Sequence, residues 1–204
     1  MRHLLTTILI AGAAAISPLA FAYPANDDSA EVDVLDLSIS ENMATPAVPG
    51  KSLGYVKGAM DQLRRYLAKD SLQVDVLRNN DVLQITIPCS DLFGPGSTEL
   101  KQSAVEVLKP LRMVVREPEK YKVLIAVHSD NTGDDIYADS ITAARANAID
   151  DLLWELASNQ DTNVIPYGLG KDSPLHSNTS MLNRALNRRV EIFIVPDRGL
   201  FGRK

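Results

Sequence analysis

HSDNTGDDIYADSITAAR, residues 128–145, is the stretch on which the fold turns. The residues before it, Tyr121 to Val127, are nearly all apolar, as expected of a strand covered on both faces. Polarity begins at His128 and Ser129, and Asp130-Asn131-Thr132-Gly133 reads as a loop. From about Ser140, apolar residues recur at Ile141, Ala144, Ala148, Leu152 and Leu156, which predicts a helix. Strand, polar loop and helix in succession are the unit of a layered α/β protein. The stretch also places an acid, Asp130, beyond the carboxyl end of a strand, where open α/β sheets bind ligands. A base, Arg145, follows inside the helix. Together they can hold a small zwitterion, the carboxylate taking its ammonium and the guanidinium its carboxylate. Asp and Asn also favour turns by bonding their own backbone, so a purely local turn reading of 130–132 stands beside this one. Arg145 sits at the edge of the apolar stripe, where it needs a partner or an exit to water. Asp130 is one candidate partner, because a planar fork matches a carboxylate.

Working outward, Val164 to Gly168 is a short strand and Val190 to Val195 the last one. Between them, Asn183 to Arg189 reads as a basic helix end running into that strand. Arg188 and Arg189 must then alternate faces, and one of them should reach the sheet's carboxyl edge or an acid. Upstream, Leu53, Val56, Met60, Leu63 and Leu67 make one apolar helical stripe. Val74 to Leu77 and Val82 to Ile87 follow as a hairpin turned by Asn79-Asn80-Asp81, and Pro88 ends it. After the loop Phe93 to Ser97, Ser97 or Thr98 can cap a helix whose buried face carries Leu100, Ala104, Leu108 and Leu111, with Pro110 kinking or shortening it. The order β-β-α-β-α-β-β predicts an α/β (α+β) sandwich with helices packed on a sheet.

The chain opens with a secretory signal: Arg2, an apolar run from Leu4 to Ile16, and small residues ending at Ala22, after which cleavage is expected. No later run reaches the roughly 18 apolar residues of a membrane span. Residues 23–50 form an acidic, proline-containing leader with six acids and no base. It reads either as a spacer or, through Val32, Val34, Leu35, Leu37 and Ile39, as a short docked strand. From Lys51 onward twenty Lys and Arg balance twenty Asp and Glu, so no electrostatic footprint for nucleic acid exists. Residues 51–197 are expected to form the domain, with its own helix and hairpin at 51–88, and 198–204 a basic tail. Cys89 is the only cysteine; no internal disulfide is possible, and it reads as a small buried hydrophobe. No glycine-rich phosphate loop and no metal-ligand spacing is present, so neither cofactor nor metal is expected.

Six pieces in order carry a family resemblance: Ile87-Pro88; Leu92 to Ser97; His128-Ser129-Asp130-Asn131-Thr132-Gly133; Ala144-Arg145-Ala146; Tyr167-Gly168-Leu169-Gly170; and Asn187 to Ile192. Over roughly residues 53–197 the chain resembles the OmpA-like peptidoglycan-binding domain of outer-membrane proteins, peptidoglycan-associated lipoproteins and flagellar stator proteins. The resemblance implies a βαβαβ core with a mixed sheet. It also implies non-covalent, non-enzymatic binding of the cell wall from the periplasm or outer membrane. By it, Asp130 and Arg145 grip the diaminopimelate of the stem peptide. Arg188, Asn131, Thr132 and Asn187 are further site residues, and loop N–H groups near Asn131 and Thr132 add donors. The chain departs from the family at Ser129 (usually Thr), Ala138 (usually an Asn that lines the pocket), Ile141-Thr142 (usually Leu-Ser) and Asn183 (usually Gly).

Two other classes were weighed. A wall hydrolase could use His128, Asp130 and Glu155. No nucleophile motif supports it, and His128 and Asp130, with one residue between them and a strand end separating them, are expected to point opposite ways. An envelope interaction module would instead act through the acidic leader at 23–50, which would engage an outer-membrane or envelope protein.

Overall fold

Five segments rich in β-branched residues form one sheet, and the amphipathic segments between them cover it. The computed structural model describes residues 37–70 and 72–202. In chain order the elements are α1 (Ile39–Ala44), α2 (Leu53–Leu67), β1 (Val74–Leu77), β2 (Val82–Pro88), α3 (Cys89–Leu92), α4 (Ala104–Leu108), α5 (Arg112–Val115), β3 (Tyr121–Val127), α6 (Asp135–Leu156), β4 (Val164–Gly168), α7 (Met181–Asn187) and β5 (Arg189–Pro196). The sheet order is β1-β2-β5-β3-β4. Only β3 and β4 run parallel; the other neighbours are antiparallel. This is the expected mixed α/β architecture. The expected export signal, the leader as far as Asp36 and the last two residues of the tail lie outside the described residues.

Every residue of β3 and β5 is buried, because the sheet is covered on both sides. On one face Val123, Ile125 and Val127 pack with Ile192 and Ile194 under α2, α4, α5 and α6. As expected, α2 buries Val56, Met60, Leu63 and Leu67. Pro110 does break its helix: α4 stops at Leu108, a tighter turn spans Lys109–Leu111, and α5 resumes at Arg112. That helix begins at Ala104 and not after Ser97, so neither Ser97 nor Thr98 caps it.

The second face carries Leu124, Ala126, Phe193 and Val195, and here the sequence reading is corrected. Of the alternative short strand that would end at Ile39, the described residues Leu37 and Ser38 are irregular and Ile39 opens a helix. Ser38 and Glu41 cap α1 reciprocally, a capping box that the search for strand patterning passed over. The end of α1 is drawn down by two buried cations. Arg78 donates to the Met43 carbonyl, and Lys122 Nζ donates to Asn42 Oδ1 at 3.1 Å and Thr45 Oγ1 at 3.3 Å. At the other end Tyr167 donates to the Leu37 carbonyl at 3.0 Å. Residues 37–45 therefore lie against this face, with Asn42 and Met43 buried, and Val48 is buried in the core of the first face.

Helix α6 starts five residues before the expected Ser140, because Asp134 Oδ1 accepts the Tyr137 N–H at 2.7 Å and caps it. Its buried face is Ala138, Ile141, Thr142, Arg145, Ala146, Ile149 and Leu153, and Ala144, expected inside, is exposed. Close approach to β4 sets that face. A Cβ on Gly168 would lie 2.3 Å from Ala143 N, so only glycine lets helix and strand touch there. The rotation moves Arg145 from the edge of the stripe into it.

Burial pushes the Lys122 ammonium from its ordinary 10.5 down to about 8, against the pull of Asp197 and with a push from Arg78. Between those values the unfolded chain holds the proton that the folded chain has released, so stability rises with pH. Relative to Lys122→Met, the wild type is expected to gain about 1–3 kcal/mol of unfolding free energy between pH 7.5 and 10. Urea melts of both proteins at the two pH values check this.

Candidate functional site

The site forms where β3 ends and β5 begins. His128 N–H donates to the Arg189 carbonyl at 2.9 Å, and Ser129 N–H to the Gly170 carbonyl at 2.7 Å. The chain then turns through Asp130. Its Oδ1 accepts the Thr132 N–H at 2.8 Å, and Gly133 adopts φ +88°, which glycine tolerates. The local turn reading of Asp130 is thus correct, but it accounts for one oxygen only. The other, Oδ2, pairs with Arg188 Nη1. Asp130 is 1% exposed, whereas the Arg188 side chain is 43% exposed. Burial works to raise the Asp130 carboxyl, but the Thr132 hydrogen bonds and the Arg188 guanidinium outweigh it and hold the group below its usual range. Asp130 is therefore an anion at neutral pH.

Arg145 does not pair with Asp130, contrary to expectation. Its Nε donates to the Ser97 carbonyl at 2.8 Å, and its guanidinium carbon lies 5.0 Å from the centre of the Phe93 ring. The cation is thus held by a backbone carbonyl and an aromatic face. Among the described residues, no carboxylate lies within ion-pair distance of it. The Cys89 thiol lies beneath: burial pushes it up to about 11, against the pull of Arg145 and Arg188. It stays protonated, as a small buried filler. Its Sγ lies 3.9 Å from the His128 carbonyl. Of the two guanidinium groups that act on this thiol, Arg188 has an acid and Arg145 has none. Nothing in the residue types of Phe93 and Ser97 announces that they hold Arg145.

The remaining expected residues divide. Asn131 and Thr132 are exposed at the loop rim, but the Thr132 N–H is spent on Asp130 and cannot serve a ligand. Asn187 is fully buried and its amide is fully used. It accepts from Leu175 N and His176 N at 3.0 and 2.9 Å, and donates to the His176 carbonyl and Asn178 Oδ1 at 2.8 Å each. It braces the loop after β4 and does not reach the cradle. Ala138, expected at the pocket wall, is wholly buried. His128 turns to Glu191, with Nε2 and Oε2 2.8 Å apart. Alternation along β3 alone would put positions 128 and 130 on one face; they separate because the strand ends at Val127.

Two grooves elsewhere, one between α2 and the β1–β2 hairpin and one beside Tyr55 and Tyr66, include none of Asp130, Arg145 and Arg188. Among the described residues no group of His, Cys, Asp and Glu is placed to hold a metal. No described helix is long and apolar enough to cross a membrane.

Residues 92–188, which contain this cradle, match the model of the OmpA family. They form an OmpA family domain. The probable lipoprotein YiaD of Escherichia coli K12 is 30% identical to the chain over 124 residues, 60% of this chain and 56% of YiaD. The peptidoglycan-binding protein ArfA of Mycobacterium tuberculosis H37Rv is 29% identical over 120 residues, 52% of this chain and 36% of ArfA. The chain thus spans about half or less of the length of these relatives. Among solved structures, the cell wall anchor of the T6SS from Pseudomonas aeruginosa superposes with a TM-score of 0.56 at 27% identity, over 66% of this chain and 97% of that one. The OmpA family match begins at Leu92, next to Phe93, and ends at Arg188.

Replacing Asn187 with Ala removes the acceptor of two part-buried N–H groups, those of Leu175 and His176. At about 0.5–1.5 kcal/mol net for each hydrogen bond lost, Asn187→Ala is expected to lower stability by about 1–3 kcal/mol. Thermal unfolding of the purified domain checks this.

Proposed function

We propose that the domain binds peptidoglycan without catalysis, by gripping the zwitterionic end of the diaminopimelate side chain in the stem peptide. The observation that carries this reading is the pairing of unlike environments in one cradle. Asp130 is held ionised at the base, and Arg145 is a nearly buried cation with no carboxylate of its own. An ammonium and a carboxylate on one carbon complete both. The ammonium donates to Asp130, whose oxygens each keep a lone pair beside the bonds from Thr132 and Arg188. The carboxylate takes the fork of Arg145, and half-exposed Arg188 can turn a second donor to it. Asn131 and Thr132 form the rim of this contact. Charge-assisted bonds contribute about 1.5–3 kcal/mol each, so two or three give affinities of about micromolar to millimolar. The wall repeats its stem peptides, so many weak contacts add up to retention.

The names of the relatives agree with this reading. ArfA is a peptidoglycan-binding protein, and the superposed Pseudomonas structure is a cell wall anchor. On this reading the protein works in the periplasm, at the wall or the outer membrane, with binding and not turnover as its chemistry. An envelope partner for the leader has less chain to use than 23–50 suggested, because residues 37–45 lie against the sheet of the domain itself.

Asp130→Ala and Arg145→Ala are each expected to reduce pulldown by purified sacculi at least about ten-fold, the loss of roughly one charge-assisted contact. Far-ultraviolet circular dichroism establishes that both variants are folded. Folded variants that are retained like the wild type would show the wrong site, and release of soluble muropeptides would show an enzyme.

A further inference from the structure

Arg188 faces Asp130, and its neighbour Arg189 turns to the other face of the sheet and is 4% exposed. There Arg189 Nε lies 3.2 Å from Glu191 Oε1, too oblique for a hydrogen bond, and Nη2 donates to Oε2 at 3.4 Å. Both Nη groups also donate to the Ser173 carbonyl at 3.2 Å. Glu191, itself buried, accepts from Gln84 Nε2 at 3.0 Å and lies 2.8 Å from His128 Nε2. One closed network therefore ties β2, β5, the end of β3 and the loop after β4. The carboxylate can only accept, so His128 carries its proton on Nε2, and Nδ1 is a bare buried nitrogen with no partner. Burial lowers the imidazole's affinity for a second proton, although Glu191 pulls the other way.

Such a network is poorly explained as a source of stability. Taking opposite charges out of water costs about what their attraction returns, and well-packed apolar side chains in their place are often as stable or more so. The second face is otherwise apolar at Leu124, Ala126, Phe193 and Val195, so an apolar solution was at hand. This network sits at the end of the sheet that carries the cradle, away from the end where Lys122 is buried. His128 is two residues from Asp130, Arg189 is adjacent to Arg188, and their backbones are joined by the His128 N–H to Arg189 carbonyl bond.

We propose that the His128–Glu191–Arg189 network is a positioning device: it locks the ends of β3 and β5 so that Arg188 meets Asp130, and thereby sets the affinity of the cradle for its ligand. The proposal rests on the wall-binding reading for its last clause alone. A net-neutral network behind the sheet fixes two groups that a ligand must meet at set spacing, the support that a binding constellation needs.

The test replaces the whole network by apolar residues, His128→Leu, Arg189→Met and Glu191→Leu together. The thermal midpoint is expected at or above that of the wild type. The Asp130 carboxyl, followed by carbon NMR in the free protein, is expected to titrate at higher pH than in the wild type, because Arg188 is no longer held against it. Retention on sacculi is expected to weaken about ten-fold. A folded variant in which either the Asp130 titration or the retention is unchanged overturns the proposal. If this variant does not fold, Glu191→Gln, which keeps the side-chain shape, is read by the same two measurements with the same outcomes. A wild type that does not bind sacculi overturns the wall-binding reading instead, and the Asp130 titration still decides whether the network positions Arg188.

Discussion

The meeting of Asp130 and Arg188 depends on the register of β3 against β5. Val127 pairs with Val190 and Ala126 with Glu191, so the chain leaving one strand meets the chain entering the other. Asp130 and Arg188 are far apart in sequence and adjacent in space for this reason. β5 is also paired along its other side to β2, which fixes it from both edges. A slip of one residue would send Arg188 to the second face and Arg189 to the first, because side chains alternate with a period of two. The cradle would then lose its exposed arginine to the interior.

Around this register five charges fall into two different sets. Behind the sheet, Arg189 and Glu191 are both buried and close on each other with His128 and Gln84. In front, Asp130 is buried while Arg188 is half exposed, and Arg145 has a carbonyl and a ring in place of an acid. The rear set is satisfied and shut. The front set has electrostatic capacity left over, which is what a binding site needs and a structural ion pair does not.

Periodicity made most of this architecture legible. The uninterrupted apolar run at Tyr121–Val127 marks a doubly covered strand, and the stripe from Val56 to Leu67 marks a helix, because burial on a sheet leaves those patterns directly in sequence. Asp130 and Arg145 were legible as an acid and a base of one strand–loop–helix unit. Their relation was not. Arg145 is bound through the Ser97 carbonyl, and a backbone carbonyl carries no residue-type signal. The face of α6 was misread by part of a turn, because it is set by the contact at Gly168, whose partner Ala143 is ordinary in sequence. Helix α1 was missed because its docking depends on Lys122 and Arg78, two charges in or beside strands that periodicity treats as exceptions. The roles of Asn187 and His128 were hidden for the same reason: their partners are distant in sequence and partly backbone.

The central claim is that Asp130 and Arg145 hold the two ends of one zwitterion. A crystal of the domain soaked with a diaminopimelate-containing tripeptide tests it most directly. The expected density places the side-chain ammonium on Asp130 and its carboxylate on Arg145, with Arg188 turned toward the ligand. A peptide bound elsewhere, or bound in the cradle with its ammonium away from Asp130, would contradict it.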